Sequence, residues 1–167
     1  GKLLAEITQC NSIFHGVTLL PATLLESGKV KSKGVNTTWL GPYKNNNPNI
    51  GKLILNDLLK CQFDIKLVSD PEIHIWQKAC FNVALNAITA LINGSPGLIG
   101  EAKNLKTITY DLAEEAINVA KKDGVKVVSK QIYDMIDFVC NNHKYHKPSM
   151  LQDIQMNRKT EIDSLNG

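Results

Sequence analysis

PEIHIWQKACFNVALNAITALIN, residues Pro71 to Asn93, reads as one long helix at the centre of a domain. Asp70 followed by Pro71 is a start signal, an N-cap residue ahead of a proline at the first helical position. Beyond Gln77 the run is apolar on nearly every side, through Cys80, Phe81, Val83, Ala84, Leu85, Ala87, Ile88, Ala90, Leu91 and Ile92. Such a rod belongs inside a fold. Yet Lys78, Asn82 and Asn86 recur at i, i+4 and i+8, which places them within roughly 80° of arc at 3.6 residues per turn. Thr89 can extend that stripe. Buried amides left unpaired cost about 1–3 kcal/mol each, and a charge costs more. The stripe must therefore face other buried polar groups or a ligand. The residues alone leave both open: asparagines bonded between helices with Lys78 reaching solvent, or a binding face.

Downstream, the cluster Asn93-Gly94-Ser95-Pro96-Gly97 stops the helix. Leu105–Lys122 predicts a second, amphipathic helix with Ile108, Leu112, Ala116, Ile117 and Ala120 on one face, ended by Asp123-Gly124. Ser129–Asn142 predicts a third, with Ser129 as cap and Ile132, Met135, Ile136, Phe138 and Val139 inward. Met150–Asn157 and Glu161–Asn166 read as short helices. Upstream, Phe63–Val68 alternates like a strand. Ile50–Cys61 is an amphipathic helix built on Ile50, Leu53, Ile54 and Leu58, widened by Leu55 and Leu59. Tyr43–Asn49 (YKNNNPN) marks a boundary. Ser12–Leu20 reads as a strand, Leu3–Ile7 as the end of a helix, and Lys29–Ser32 with Asn36–Leu40 as a hairpin about Lys33-Gly34. From Ile50 onward the chain is mainly α.

Composition narrows the classes. With 167 residues, 43% of them hydrophobic, the chain can bury a proper core. A net charge of +3 suits an anionic cofactor or acid substrate, and with only 6% aromatic residues and scattered lysines it offers no nucleic-acid surface. Cys10, Cys61, Cys80 and Cys140 are far apart, which suits reduced thiols and a cytoplasmic protein. The apolar run, broken by asparagines, is no membrane span. His143 and His146 lack a carboxylate or cysteine at ligand spacing, so no metal site is expected. Gly94, Gly97 and Gly100 follow a helix rather than a strand and lack the start of a dinucleotide loop. The chain opens Gly1-Lys2 without methionine and reads as a fragment.

A second motif lies near the end, Ser149-Met150-Leu151-Gln152-Asp153 followed by Arg158-Lys159-Thr160-Glu161-Ile162-Asp163. Taken alone, Ser149 is an N-cap for the helix after it and Glu161 a first-turn acid favoured by the helix dipole. Asp153, Arg158 and Asp163 read as structural ion pairs. The stripe K-x-x-x-N-x-x-x-N-x-x-T-A-L and the tail SMLQDIQMNRKTEIDSLNG together resemble the ketopantoate reductase (2-dehydropantoate 2-reductase) family, over most of the chain from about Gly16 onward. The resemblance implies a helical-bundle domain like the C-terminal domain of 6-phosphogluconate dehydrogenase, at residues 48–167. It implies that residues 1–47 hold the closing strands of a truncated Rossmann-type NADP-binding domain, with Gly28-Lys29-Val30 and Trp39-Leu40-Gly41-Pro42 matching the family there.

The resemblance further implies NADPH-dependent reduction of 2-dehydropantoate to (R)-pantoate, in pantothenate and coenzyme A biosynthesis. Reducing a ketone creates charge on the carbonyl oxygen, which an ammonium can neutralise and protonate. The family's catalytic lysine falls on Lys78. Its substrate-pocket asparagines fall on Asn82 and Asn86, its carboxylate-binding serine on Ser149, and its glutamate, for the substrate hydroxyl or nicotinamide ribose, on Glu161. The partners implied are NADP(H), a small 2-oxoacid and a second copy in a homodimer. Two departures bear on the pocket: Asn93-Gly94-Ser95-Pro96-Gly97 stands where the family has an asparagine in the turn, and His146-Lys147-Pro148 precedes Ser149. The alternatives are a related 2-oxoacid or β-hydroxyacid reductase, and a non-catalytic helical dimerisation module. The fragment alone is expected to be inactive.

Overall fold

The structure, a computed structural model, describes residues 2–8, 12–20, 22–32, 37–43 and 48–167. Contacts divide the chain into two compact units, Gly1–His74 and Ile75–Gly167.

The first unit holds α1 (Lys2–Thr8), β1 (Phe14–Thr18), β2 (Ala22–Glu26), β3 (Lys29–Ser32), β4 (Thr38–Pro42), α2 (Pro48–Lys60) and β5 (Ile65–Leu67). Its main sheet runs β1-β4-β5. β4 lies antiparallel to β1, with Phe14 opposite Pro42, and parallel to β5, with Thr38 opposite Ile65. The parallel pair needs a crossover, and α2 supplies it. Val17, Leu40 and Ile65 are the buried strand residues. The expected hairpin between Lys29–Ser32 and Asn36–Leu40 does not form. β3 instead pairs with β2, and residues 38–40 belong to β4 in the other sheet. The reason lies at Gly28, whose φ of 76° makes the tight turn between β2 and β3. Lys33-Gly34, Asn36, Asn45–Asn47 and Cys10 lie outside the described residues.

The long helix is α3 (Glu72–Leu91), whose first turn belongs to the first unit. Its start is as the sequence predicts: the Glu72 N–H donates to Asp70 Oδ1 at 3.1 Å. The second unit continues with α4 (Pro96–Glu101), α5 (Lys103–Lys122), α6 (Ser129–Asn142), α7 (Ser149–Gln155) and α8 (Ile162–Leu165). Its core joins Cys80, Ala84, Leu85 and Ile88 of α3 to Ile99 of α4, Ala113, Ile117 and Ala120 of α5, and Ile132, Ile136 and Cys140 of α6. Burial pushes the Cys80 thiol up to about 11. Among the described residues no helix is long and apolar enough to cross a membrane.

Several expectations shift in register. On α5 the innermost row is Thr109, Ala113, Ile117 and Ala120, while Ile108 is about half exposed. On α6 it is Ile132, Ile136 and Cys140, and Phe138 points outward to meet the His143 ring edge-on. On these rows the small Thr109, Ala113, Ala120 and Cys140 interleave with Ile117, Ile132 and Ile136, because close packing rewards fit over bulk. On α2, Leu53 and Leu59 are exposed. α4 was not expected. Ser95 and Pro96 do break α3, but Pro96 also opens this new six-residue helix. Gly97 and Gly100 are its packing face. A Cβ on Gly97 would meet Lys144 Cβ at 3.0 Å, and one on Gly100 would meet Cys140 Cβ at 3.2 Å. Ser129 is not a cap: it is the first helical residue and makes no cap bond.

Four helices end the same way, on a residue in the left-handed region: Gln62 after α2, Asn93 after α3, Gly124 after α5 and Asn157 after α7. Each end carries the paired bonds of a Schellman motif, as in Gly94 N–H to Thr89 O at 3.0 Å and Asn93 N–H to Ala90 O at 3.2 Å. Of the four, Gln62 is least suited to φ of 63°. Gln62→Gly is expected to stabilise the first unit by about 1 kcal/mol, read as a higher midpoint in urea unfolding. An unchanged or lower midpoint would show that the turn is not strained.

Candidate functional site

The stripe on α3 is real in its placement. Lys78 and Asn82 are half-buried, while Asn86 keeps only 4% of its surface and Thr89 none. Thr89 does not extend the binding face. Its hydroxyl is within bonding reach of the Leu85 and Asn86 carbonyls, at 2.9 and 3.0 Å, and so is used inside the helix.

Asn86 is solved differently. Its Nδ2 donates to Ser149 Oγ at 3.3 Å, and the Ser149 hydroxyl donates to Glu161 Oε1 at 3.1 Å. Three sequence-predicted residues, drawn from the middle and the end of the chain, thus form one line from a dehydrated amide to an exposed carboxylate. Neither exposed member serves its own helix. Pro148, not Ser149, holds the N-cap position of α7, and Glu161, at the N-cap position of α8, makes no side-chain cap bond. The capping role open to Ser149 from sequence is excluded.

The tail is pinned around this line. Met150 and Leu151 are fully buried and seat the start of α7. Gln155 Nε2 donates to Asn93 Oδ1 at 3.1 Å, and Lys147 Nζ to Gln155 Oε1 at 2.8 Å. Asn166 Nδ2 donates to the Val83 carbonyl at 3.1 Å, returning the last turn to α3. Asp153 and Arg158 pair as expected, through Arg158 Nη2 at 2.7 Å and Nε at 2.9 Å, and Asp163 lies 3.7 Å from Lys159. The sequence reading missed the Asn166 and Gln155 tethers; each joins positions more than sixty residues apart, and no local pattern signals them.

A second polar cluster, also missed, lies between α5 and α6. The Tyr110 hydroxyl donates to Asp137 Oδ1 at 2.6 Å, Lys106 Nζ sits 2.8 Å from the same oxygen, and Tyr133 donates to Glu114. The two tyrosine rings are 4.8 Å apart. Burial pushes the Asp137 carboxyl up, but its bonds to Lys106 and Tyr110 outweigh this and hold it below its ordinary value. The bond to Glu114, and then burial, push Tyr133 up to about 12. Every charge here is answered within the cluster, so its chemistry is spent on joining two helices. Among the described residues no group of three or more metal-ligating side chains occurs.

The family model described as "Ketopantoate reductase PanE/ApbA C terminal" matches residues 72–167. The 2-dehydropantoate 2-reductase of Streptococcus pyogenes is 28% identical over 158 residues, covering 94% of this chain and 52% of that protein. The crystal structure of 2-dehydropantoate 2-reductase from Geobacter metallireducens superposes with a TM-score of 0.86 at 24% identity, over 97% of this chain and 54% of that one. D-mandelate dehydrogenase in complex with NADH superposes with a TM-score of 0.84 at 22% identity, over 92% of this chain and 52% of that one. The chain spans about half the length of the curated relatives it matches.

The α5–α6 cluster carries a pH prediction. Tyr133 ionises later folded than unfolded, so the stability it confers is complete below pH about 10 and lost as pH rises through about 12. Glu114→Gln is expected to bring its ionisation back towards 10, followed by ultraviolet titration of the folded protein. An unmoved titration would show that Glu114 is not the cause.

Proposed function

The chain belongs to the ketopantoate reductase PanE/ApbA family, and from that premise we propose that the natural full-length protein is a cytoplasmic NADPH-dependent reductase of 2-oxoacids. Its substrate on this reading is 2-dehydropantoate, reduced to (R)-pantoate on the way to pantothenate and coenzyme A. The observation that supports it is the line Asn86–Ser149–Glu161, which brings the two motifs of the family resemblance into one hydrogen-bonded group on the same helix that carries Lys78.

A nicotinamide cofactor, when bound, would supply the hydride that reduces the ketone carbon of the keto acid. Negative charge then grows on the ketone oxygen, and the Lys78 ammonium neutralises it and donates the proton that completes the hydroxyl. Asn82 binds a substrate oxygen without repelling an anion, as a carboxylate would; Asn86, the family's other pocket asparagine, has its amide nitrogen engaged by Ser149. Ser149 binds near the substrate carboxylate, and Glu161 accepts from a hydroxyl, that of the substrate or of the nicotinamide ribose. The described residues fit the cofactor only in part. A carboxylate suits a ribose diol, but no glycine-rich loop between a strand and a helix is present to cradle phosphates. Residues 1–47 close the nucleotide-binding domain on this reading, and 48–167 form the substrate domain.

A second reading keeps the chemistry and changes the side chain of the keto acid. It is favoured by the departure at Asn93, the nearest counterpart of the family's turn asparagine, whose Oδ1 accepts from Gln155 Nε2.

The test is NADPH oxidation by the natural full-length protein with 2-dehydropantoate and a panel of other 2-oxoacids. Turnover of 2-dehydropantoate is expected, with a fall of about 10²–10⁴-fold in folded Lys78→Ala. Turnover confined to another keto acid would select the second reading. Equal rates for mutant and wild type would remove Lys78 from the mechanism.

A further inference from the structure

We infer that Asn86 is a positioning residue that acts through Ser149 to aim the Glu161 carboxylate. The inference rests on the reductase reading, since it gives the aimed carboxylate its task.

A serine hydroxyl has one proton and two lone pairs. Asn86 Nδ2, 3.3 Å away, occupies a lone pair of Ser149 Oγ, and the one proton is given to Glu161 Oε1 at 3.1 Å. In this arrangement Ser149 has no proton left for any other acceptor. Its first duty is to Glu161. The direction of the line is fixed from its buried end: Asn86 is held on α3 with only 4% of its surface exposed, and turning away would leave a dehydrated donor unpaired. Ser149 is held by its neighbours Met150 and Leu151, both fully buried. Only Glu161 is free to swing. It is exposed, it begins a helix of four residues, and its carboxylate caps nothing. The hydroxyl of Ser149 is what selects one rotamer for it, through a bond strengthened by the carboxylate charge. The Asn166 bond to Val83 fixes the far end of the same segment, so backbone and side chain of Glu161 are each referred to α3.

A residue that acts through another shows it by non-additivity. Asn86→Leu keeps the side-chain size and removes the donor; Ser149→Ala removes the middle of the line; Ser149→Thr keeps the hydroxyl; Glu161→Gln keeps the shape and removes the charge. In the natural full-length protein, Asn86→Leu and Ser149→Ala are each expected to lower kcat by about tenfold when Glu161 is present. Either should add less than about twofold in the Glu161→Gln background. Ser149→Thr is expected to restore most of the loss. The same pairs run through thermal unfolding read the line without any turnover, and Asn86→Leu with Ser149→Ala should there also fall short of additive. Losses in kcat that multiply would make Asn86 an independent contact and overturn the inference. Additive unfolding would show that the line does not form. A wild type that turns over no 2-oxoacid, with coupled unfolding intact, would sink the reductase reading and reduce the line to a tether.

Discussion

An amide nearly stripped of water must find a partner, and the second unit is arranged around that requirement at Asn86. It is buried on α3 beside Leu85, Ala87 and Ile88. Thr89 finds its partners in its own helix, at the Leu85 and Asn86 carbonyls, whereas the partner of the Asn86 amide lies off α3. A chain segment sixty-three residues later supplies it. The line from α3 to Glu161 thus follows from satisfying one buried polar group, and it ties two exposed residues on short helices into a defined arrangement.

The contrast with the α5–α6 cluster is instructive. There, too, acids, lysines and tyrosines meet between helices, with pKa values displaced from the ordinary. But each acid meets a hydroxyl or an ammonium, and the group closes on itself. The Asn86 line ends instead on a carboxylate at the surface. The two groups thus differ in form, one closed on itself between two helices and one open at the surface.

Much of this was legible in the sequence, and the residues say why. α3 was readable from its start at Asp70-Pro71 to its stop at Asn93, and so was its stripe, because helical period and burial are both local properties. The ends of α5 and α6 were likewise readable. What escaped was everything decided across space. Leu53 and Phe138 are apolar yet exposed, while Thr109 is polar yet buried, because neighbours and not composition choose the inner row. β3 paired backward to β2, since a left-handed glycine outranked a charged gap as the turn. The joining of Ser149 to Glu161 was expected only as membership of one motif, not as a bond.

The main sheet has a further consequence, which concerns how fast the two units can form. β4 must find β1 across the whole β2–β3 hairpin, and find β5 across α2, before any of the three is paired on its proper side. Such distant pairings carry a loop-closure cost that must be met before they return stability. The helices of the second unit follow one another across short connections, those after α3, α5 and α7 closed by left-handed residues. A single chain thus joins a topologically slow unit to a fast one. The slow one precedes the other in sequence, so it leaves the ribosome first and gains that interval to pair its strands.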